Sequence, residues 1–527
     1  MRLWLLGLLS GALAAPARSG VTVQKQGLVV PDKYRYLREE VLEMFVDSYE
    51  PYRRIAFGHD EVRPVRQAPV DEFAGWGATV VDSMSTMLIM GLTDFFAEAV
   101  NHTTYMDFTV TQPRSTVSVF ETTIRYVGGL LSAYELSDKK HPVLLRKAQN
   151  IADKLAYAFH QDNVIPYGHI YFMSDDPKRG TTNIAEAGSM SLEWELLSRY
   201  TKNSTYAKLA VGAVKHIANL EAPLPGLAPT RIDPVTGNFT NRYITWGGEA
   251  DSYYEYLIKY ARLFNTDDPV FIQTWKKAVD SSIWHLLRPS ITGVGAYLGE
   301  MDDQRNLKHL SSHLTCFHAG NWLLGGKMLR NQTMVELAGH LNDGCWNTYN
   351  STATGIGPES FGFVSPDGGY AGGNMMNKVQ VEFSKKHGFA CSTQFRQTRA
   401  EILLQLLHHR RQVHSEAGGQ VCILLESNFY GWRVTGDTKY LDRAADAIRS
   451  FQTHLQLTEG RGYSDISDVN PTGKVVYGDK TESFWFAETL KYLYLTFDDP
   501  KHISLDDYVF NTEAHPLKAP PSLPSYG

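Results

Sequence analysis

ESFWFAETLKYLYLTF, running from Glu482 to Phe497, is interrupted by charge only at Glu482, Glu488 and Lys491. A helix of that composition is apolar nearly all round and must be covered on every face. Six further segments of the same kind precede it: DSMSTMLIMGL from Asp82, GGLLSAYELS from Gly128, GSMSLEWELLSRYT from Gly188, DSYYEYLIKYARLF from Asp251, HAGNWLLGGKML from His318 and ESNFYGWRVTGD from Glu426. Turn signals such as Leu136-Ser-Asp138, Thr201-Lys-Asn203, Asn265-Thr-Asp-Asp268 and Thr435-Gly-Asp437 follow, and then a second, amphipathic helix. The unit returns about every sixty residues, with no βαβ pattern between units. Repeated helical hairpins build either an open superhelix or a closed α/α barrel. Coverage of the opening helices on all faces favours closure, and an all-α fold. Their polar residues recur near the starts, so they collect at one end of the barrel.

The chain has 527 residues, 43% hydrophobic and 20% charged, enough to bury a large core. A net charge of −6 and the lack of a basic stripe or nucleic-acid motif argue against nucleic acid as a partner. Aromatics at 12% suit a sugar-stacking cleft, although large aromatic cores are the commoner reason for such a content. Arg2, the apolar run Leu3–Ala15 and the small residues to Ala17 form a signal-peptide pattern over 1–17, too short to span a bilayer. No later stretch reads as a transmembrane segment, so the expectation is a monomer that is secreted or held in the secretory-pathway lumen. Five sequons, at Asn101, Asn203, Asn238, Asn331 and Asn350, agree with that route. Cys316, Cys345, Cys391 and Cys422 allow three pairings. Cys316 with Cys345 is favoured, closing a moderate loop worth about 3 kcal/mol, with buried free thiols as the alternative.

Glu121 and Arg125 stand one helical turn apart, and Asp251 with Glu255 repeats the spacing. Such pairs are commonly surface ion pairs. Here Glu121 lies between Val-Ser-Val-Phe120 and an apolar run from Tyr126, and Asp251 and Glu255 sit among Tyr253, Tyr254, Tyr256 and Leu257. Charges in such surroundings need partners, a metal or a polar ligand. Phe484 and Glu488, four apart, would set a ring beside a carboxylate, a pairing that grips sugars.

The segment Glu482 to Leu495, followed by Val509-Phe-Asn-Thr-Glu-Ala-His-Pro516, closely resembles the end of glycoside hydrolase family 47, the class I α-1,2-mannosidases that trim N-glycans. The resemblance continues, in consistent order, through Gly75-Trp-Gly-Ala-Thr-Val-Val-Asp82, Phe120-Glu-Thr-Thr-Ile-Arg125, Ala185-Glu-Ala-Gly-Ser189, Ala250-Asp-Ser-Tyr-Tyr-Glu-Tyr256, His313-Leu-Thr-Cys-Phe317 and Gly355-Ile-Gly-Pro-Glu359. It implies an (α/α)7 barrel over 30–517, plugged by a C-terminal β-hairpin and followed by a tail, 518–527. It also implies Ca²⁺ bound by the carbonyl and hydroxyl of Thr512, an oxygen-only shell that suits calcium, and a high-mannose N-glycan as substrate. The candidate catalytic set is Glu121, matching an acid that protonates through a water, Asp251, the other carboxylate proposed for the acid, and Glu359. Glu186, Glu359, Glu488 and Glu513 match carboxylates that bind sugar hydroxyls or calcium-bound water, with Arg125, His313, Glu426 and Phe484 also in the pocket. Cys316 and Cys345 match the family's disulfide. The family inverts configuration, which sets acid and base roughly 6.5–9.5 Å apart.

The pattern breaks once. The family's base lies in Arg-Pro-Glu-x-x-Glu-Ser, and this chain reads Val421-Cys-Ile423 before Leu-Leu-Glu426-Ser427. The base position is therefore Ile423, and losing a general base costs about 10²- to 10⁴-fold. Residues 392–422 are foreign to the family, while both flanks match. The abrupt edges point to a mistranslated stretch, a retained intron or local frame error; read structurally, the stretch is a solvated amphipathic helix. As printed, the chain reads either as a hydrolase with an altered segment or as a mannose-binding pseudoenzyme. Glu249 is a further departure: some members carry Arg at this position, which influences branch preference.

Overall fold

Every opening segment contributes a helix to the computed structural model, which describes residues 20–111, 116–369, 378–391, 422–458 and 460–527. The inner helices are Ala78–Met90, Gly128–Leu136, Ser191–Thr201, Asp251–Phe264, Phe317–Met328, Cys422–Thr435 and Leu490–Phe497. Each packs on the next, and the last returns to the first, closing the ring. The outer layer is Tyr36–Ala56, Thr93–Tyr105, Pro142–Leu155, Thr205–Asn219, Pro269–His285, Gln332–Asn350 and Lys439–His454. Seven hairpins thus form an (α/α)7 barrel, as the repeat pattern and the resemblance together imply.

Burial explains the two layers. Asp251–Phe264 is buried without a break from Ser252 onward, whereas Pro142–Leu155 buries only the stripe Leu144, Ala148, Ile151, Ala152 and Leu155. The inner helix ends at Asn265 in the left-handed region, φ 49°, and Asp268 then accepts from the Val270 N–H at 3.1 Å, with Pro269 at the first helical position. The Gly-Trp-Gly stretch is organised from outside itself. The buried carboxylate of Asp60 accepts from the backbone N–H groups of Phe73, Gly75, Trp76, Gly77 and Ala78 at 2.7–3.1 Å. It does for Ala78–Met90 what an N-cap side chain does elsewhere.

An outer helix separates each inner helix from the next, so all inner helices point the same way and their N-termini share one end. The plug is the antiparallel hairpin Tyr508–Phe510 with Pro516–Lys518, Val509 opposite Leu517. It packs on Asp251–Phe264 and Gly128–Leu136, and its tip, Asn511 to His515, is buried inside the ring. A small antiparallel sheet of Leu310–Ser312, Ser360–Ser365, Gly368–Gly369 and Phe389–Cys391 sits beside His313 and Glu359. Residues beyond the plug are bonded down: Ser522 Oγ donates to the Val21 carbonyl and Tyr526 Oη to Asn265, both at 2.6 Å. Cys316, at the N-cap of the inner helix Phe317–Met328, and Cys345, within its outer partner, form a disulfide, and Cys391 is a buried free thiol. Among the described residues no helix is long and apolar enough to cross a membrane.

Candidate active site

Short helical turns ahead of the inner helices present the candidate side chains. Ser118 Oγ accepts from the Glu121 N–H at 3.2 Å and starts the turn Val119–Thr122, which runs into a π turn, Thr123–Val127, carrying Arg125. A second π turn, Trp485–Thr489, carries Glu488. Isolated π turns widen the helix locally and are frequent at functional sites. Phe484 sits just before this turn, half-buried, so the four-residue spacing to Glu488 is not the α-helical register assumed from sequence. Asn183 caps the turn Ile184–Gly188 through the Glu186 N–H at 2.8 Å, and Glu186 Oε2 accepts from Thr182 Oγ1 at 2.8 Å. Gly168 makes room for it, since a β-carbon there would stand 2.3 Å from Glu186 Oε2.

Arg125 is the hub. Its Nε donates to Glu121 at 2.9 Å, and its Nη1 donates to Asp82 at 3.3 Å, to Ser483 Oγ at 3.2 Å and to Glu513. The first, second and seventh inner helices therefore meet at the plug tip. Asn511 shapes that tip: its Oδ1 accepts from the Glu513 and His515 N–H groups at 3.1 and 2.8 Å, and its Nδ2 donates to Glu193 at 2.8 Å. The Thr512 N–H donates to Tyr256 Oη at 3.3 Å, and Tyr256 donates onward to Glu193 at 2.7 Å. The carbonyl and hydroxyl oxygens of Thr512 carry no hydrogen bond among the described residues. Two free hard oxygens on one half-buried residue are donors of the kind calcium takes, although among the described residues no group of three or more Asp, Glu, His or Cys side chains gathers to hold a metal.

His313 and Glu359 form another part of the pocket. The His313 N–H donates to the Glu359 carbonyl at 2.8 Å, and the ring Nδ1 meets Tyr349 Oη at 2.9 Å. Glu249 adopts φ 73° and pairs with Arg231 at 2.8 Å, while its carbonyl accepts from the Ala185 N–H beside Glu186.

The electrostatics follow from burying so many acids together. Burial pushes the Asp251 carboxyl up to about 7, with the charges of Glu255 and Glu121 adding. Glu186 is raised by burial and further by Glu121 and Glu249. Glu359 reaches about 7 through burial and Glu482, and burial holds Glu513 well above the usual carboxylate range against the pull of Arg125. The field of Glu121 thus reaches Asp251, Glu186 and Glu513. His313 is pushed down to about 3 by burial and is neutral near pH 7.

Asp251 and Glu255 do not form the cation–anion pairing that Glu121 and Arg125 do. Glu255 pairs with Lys259, whose Nζ also donates to Glu426 at 3.1 Å. Burial raises Glu426 to about 7 in spite of that lysine. Lys259 was missed, although it stands four residues after Glu255 in an otherwise aromatic run; Asp82, Glu193 and Asn511 were also missed as site groups. The side chain of Ile423, that of Cys422 and the segment 392–421 lie outside the described residues.

A closed helical barrel whose mouth gathers acids around one arginine describes an (α/α)-barrel glycosidase. The model for glycosyl hydrolase family 47 matches residues 44–519. The chain is 34% identical to a probable mannosyl-oligosaccharide alpha-1,2-mannosidase 1B of Aspergillus clavatus, over 94% of this chain and 95% of that protein. It is likewise 34% identical to a mannosyl-oligosaccharide alpha-1,2-mannosidase of Penicillium citrinum, over 98% of each. Its fold matches the alpha-1,2-mannosidase from Trichoderma reesei with a TM-score of 0.83 at 32% identity, covering 92% of this chain and 99% of that one. The chain belongs to glycosyl hydrolase family 47.

Proposed function

We propose that the chain acts on terminal α-1,2-linked mannose of high-mannose N-glycans, as the names of its relatives suggest, by an inverting hydrolysis. The observation that carries this reading is the constellation at the barrel mouth: Glu121 paired directly with Arg125, Asp251 raised by burial to about 7, and the free oxygens of Thr512 at the plug tip. Asp251 is suited to hold a proton near neutral pH and give it to the departing glycosidic oxygen. Glu121, in a direct pair with the Arg125 guanidinium, is placed to orient sugar or water. Thr512 would hold Ca²⁺ through its carbonyl and hydroxyl, and the ion when bound supplies positive charge and coordination for sugar hydroxyls. Glu186, Glu488 and Glu513 offer acceptors to hydroxyl groups, and half-buried Phe484 a ring. The disulfide and the leader-like residues 1–17 support work in the secretory lumen or outside the cell.

Inversion needs a base to take a proton from the attacking water, and isoleucine at 423 has no group to do so. Release of mannose from α-1,2-mannobiose by the printed chain is therefore expected to be slow. The triple change Val421→Arg, Cys422→Pro, Ile423→Glu should raise it by about 10²- to 10⁴-fold. Equal rates would remove the assigned base. Binding of mannobiose, followed by calorimetry, should be lost on chelating calcium and on Thr512→Gly; tight binding that survives both would sink the Thr512 site.

A further inference from the structure

A cleft of about 420 Å³ lies between the outer helices Gln332–Asn350 and Lys439–His454 and the loop of the hairpin Leu287–Leu298, within the roughly 300–1,000 Å³ typical of ligand sites. None of the site carboxylates lines it. Its wall carries Trp346, Asn347 and, at the last position of its helix, Asn350. Asn350 is exposed and begins the sequon Asn350-Ser-Thr352. Its side chain makes no hydrogen bond among the described residues. Asn331, in another sequon, has its amide oxygen accepting from the Met334 N–H. Side chains on a helix lean toward its N-terminus, so a group on Asn350 is carried over the preceding turn, where Trp346 and Asn347 stand.

The cleft has the chemistry of a sugar seat. The Trp346 indole is half-buried, with the Arg443 guanidinium over its ring at 5.7 Å from the centroid and the Tyr349 ring parallel to it, the two ring centroids 6.0 Å apart. Asp343 accepts from Lys439 at 3.0 Å and from Arg443, so charged donors and an acceptor stand beside the ring. The part of the indole left exposed, with such groups close by, suits a pyranose with hydroxyl and acetamido substituents.

We propose that Asn350 carries an N-linked glycan whose first N-acetylglucosamine lies in this cleft against Trp346. In the transfer, Asn350 Nδ2 forms a bond to C1 of that sugar and displaces the pyrophosphate of a lipid-linked oligosaccharide donor. The pyrophosphate leaves with the electron pair, and the amide gives up one proton to solvent. The attached sugar is tethered to its own seat, so it needs no affinity of its own to occupy it.

The test uses the full chain secreted from a eukaryotic host. Glycopeptide mass spectrometry should find Asn350 occupied. Endoglycosidase H should cut the native Asn350 glycan about tenfold more slowly than the same glycan after denaturation, the protection an ordinary aromatic contact gives. Trp346→Ala should bring the native rate up to the denatured one, while Trp346→Tyr keeps the protection. An unmodified Asn350, equal native and denatured rates in the parent chain, or protection unchanged in Trp346→Ala would each overturn the proposal.

Discussion

Replacing Lys259 by methionine removes a cation that is 1% exposed from between two buried acids on the inner helices Asp251–Phe264 and Cys422–Thr435. Those helices are not neighbours in the ring, since Phe317–Met328 stands between them, so the lysine ties two staves together across a third. Breaking a buried pair by deleting one partner costs about 3–5 kcal/mol, because the remaining charge is left unpaired. The cost has a pH signature. With the lysine present, burial already lifts Glu426 to about 7, above its unfolded value, so the group destabilises the native state progressively as pH rises toward 7. Without the lysine the folded value rises further. The two proteins then share the same slope up to about pH 7, and above it the variant alone keeps losing about 1.4 kcal/mol per pH unit. Urea unfolding at pH 5.5, 7 and 8.5, each referred to the parent at the same pH, would show a gap that widens only on the alkaline side. A total loss below about 1 kcal/mol, or parallel curves throughout, would refute the argument that Lys259 neutralises a buried acid pair.

In the triple variant that restores a carboxylate at 423, kcat/KM should fall above pH about 7 as Asp251 loses its proton, and Asp251→Asn should flatten that limb while lowering the rate about 10²- to 10⁴-fold. A limb that persists in Asp251→Asn would assign the proton to another group. Opening the Cys316–Cys345 disulfide by the double change to serine should cost about 3 kcal/mol through the loop it closes, seen as a lowered melting temperature that no longer responds to reductant. A melting temperature equal to that of the oxidised parent would show that the bridge adds no stability.

The barrel was legible because its signal is redundant. An inner helix such as Asp251–Phe264 needs apolar residues on all sides and an outer one such as Pro142–Leu155 only a stripe, and the alternation is written seven times. The turn signal Asn265-Thr-Asp-Asp268 was local enough to read as well, and Asp268 caps the helix that follows it. The site was legible in part, and mainly through residues whose partners lie close in sequence or whose motif has a known family pattern. Glu121 with Arg125 is such a case. What Arg125 does beyond that pair depends on Asp82, Ser483 and Glu513, up to 388 positions away, and no spacing rule connects them. Asp60 escaped for the same reason: its role is to gather five backbone N–H groups of a stretch that starts 13 residues later, and a lone aspartate before a turn has no pattern of its own.

Glu255 needs a partner, as its surroundings imply, but the spacing alone does not say which. A four-residue spacing says that two side chains can meet, not that they are the pair that does. Asp251, Glu255 and Lys259 form a ladder with two such spacings, and only the lower one joins opposite charges. Burial decides between them. Because an unpaired cation inside the barrel is so costly, Lys259 must take the nearest acids on any helix. It takes Glu255 from its own and Glu426 from another, which fixes Glu426 by a residue that never needs to touch a sugar. Among the described residues Asp251 is left with the Ser252 N–H and no cation, and burial lifts it to about 7, where it keeps a proton available near neutral pH. The same ladder thus separates a structural charge pair from a candidate acid by one turn of helix.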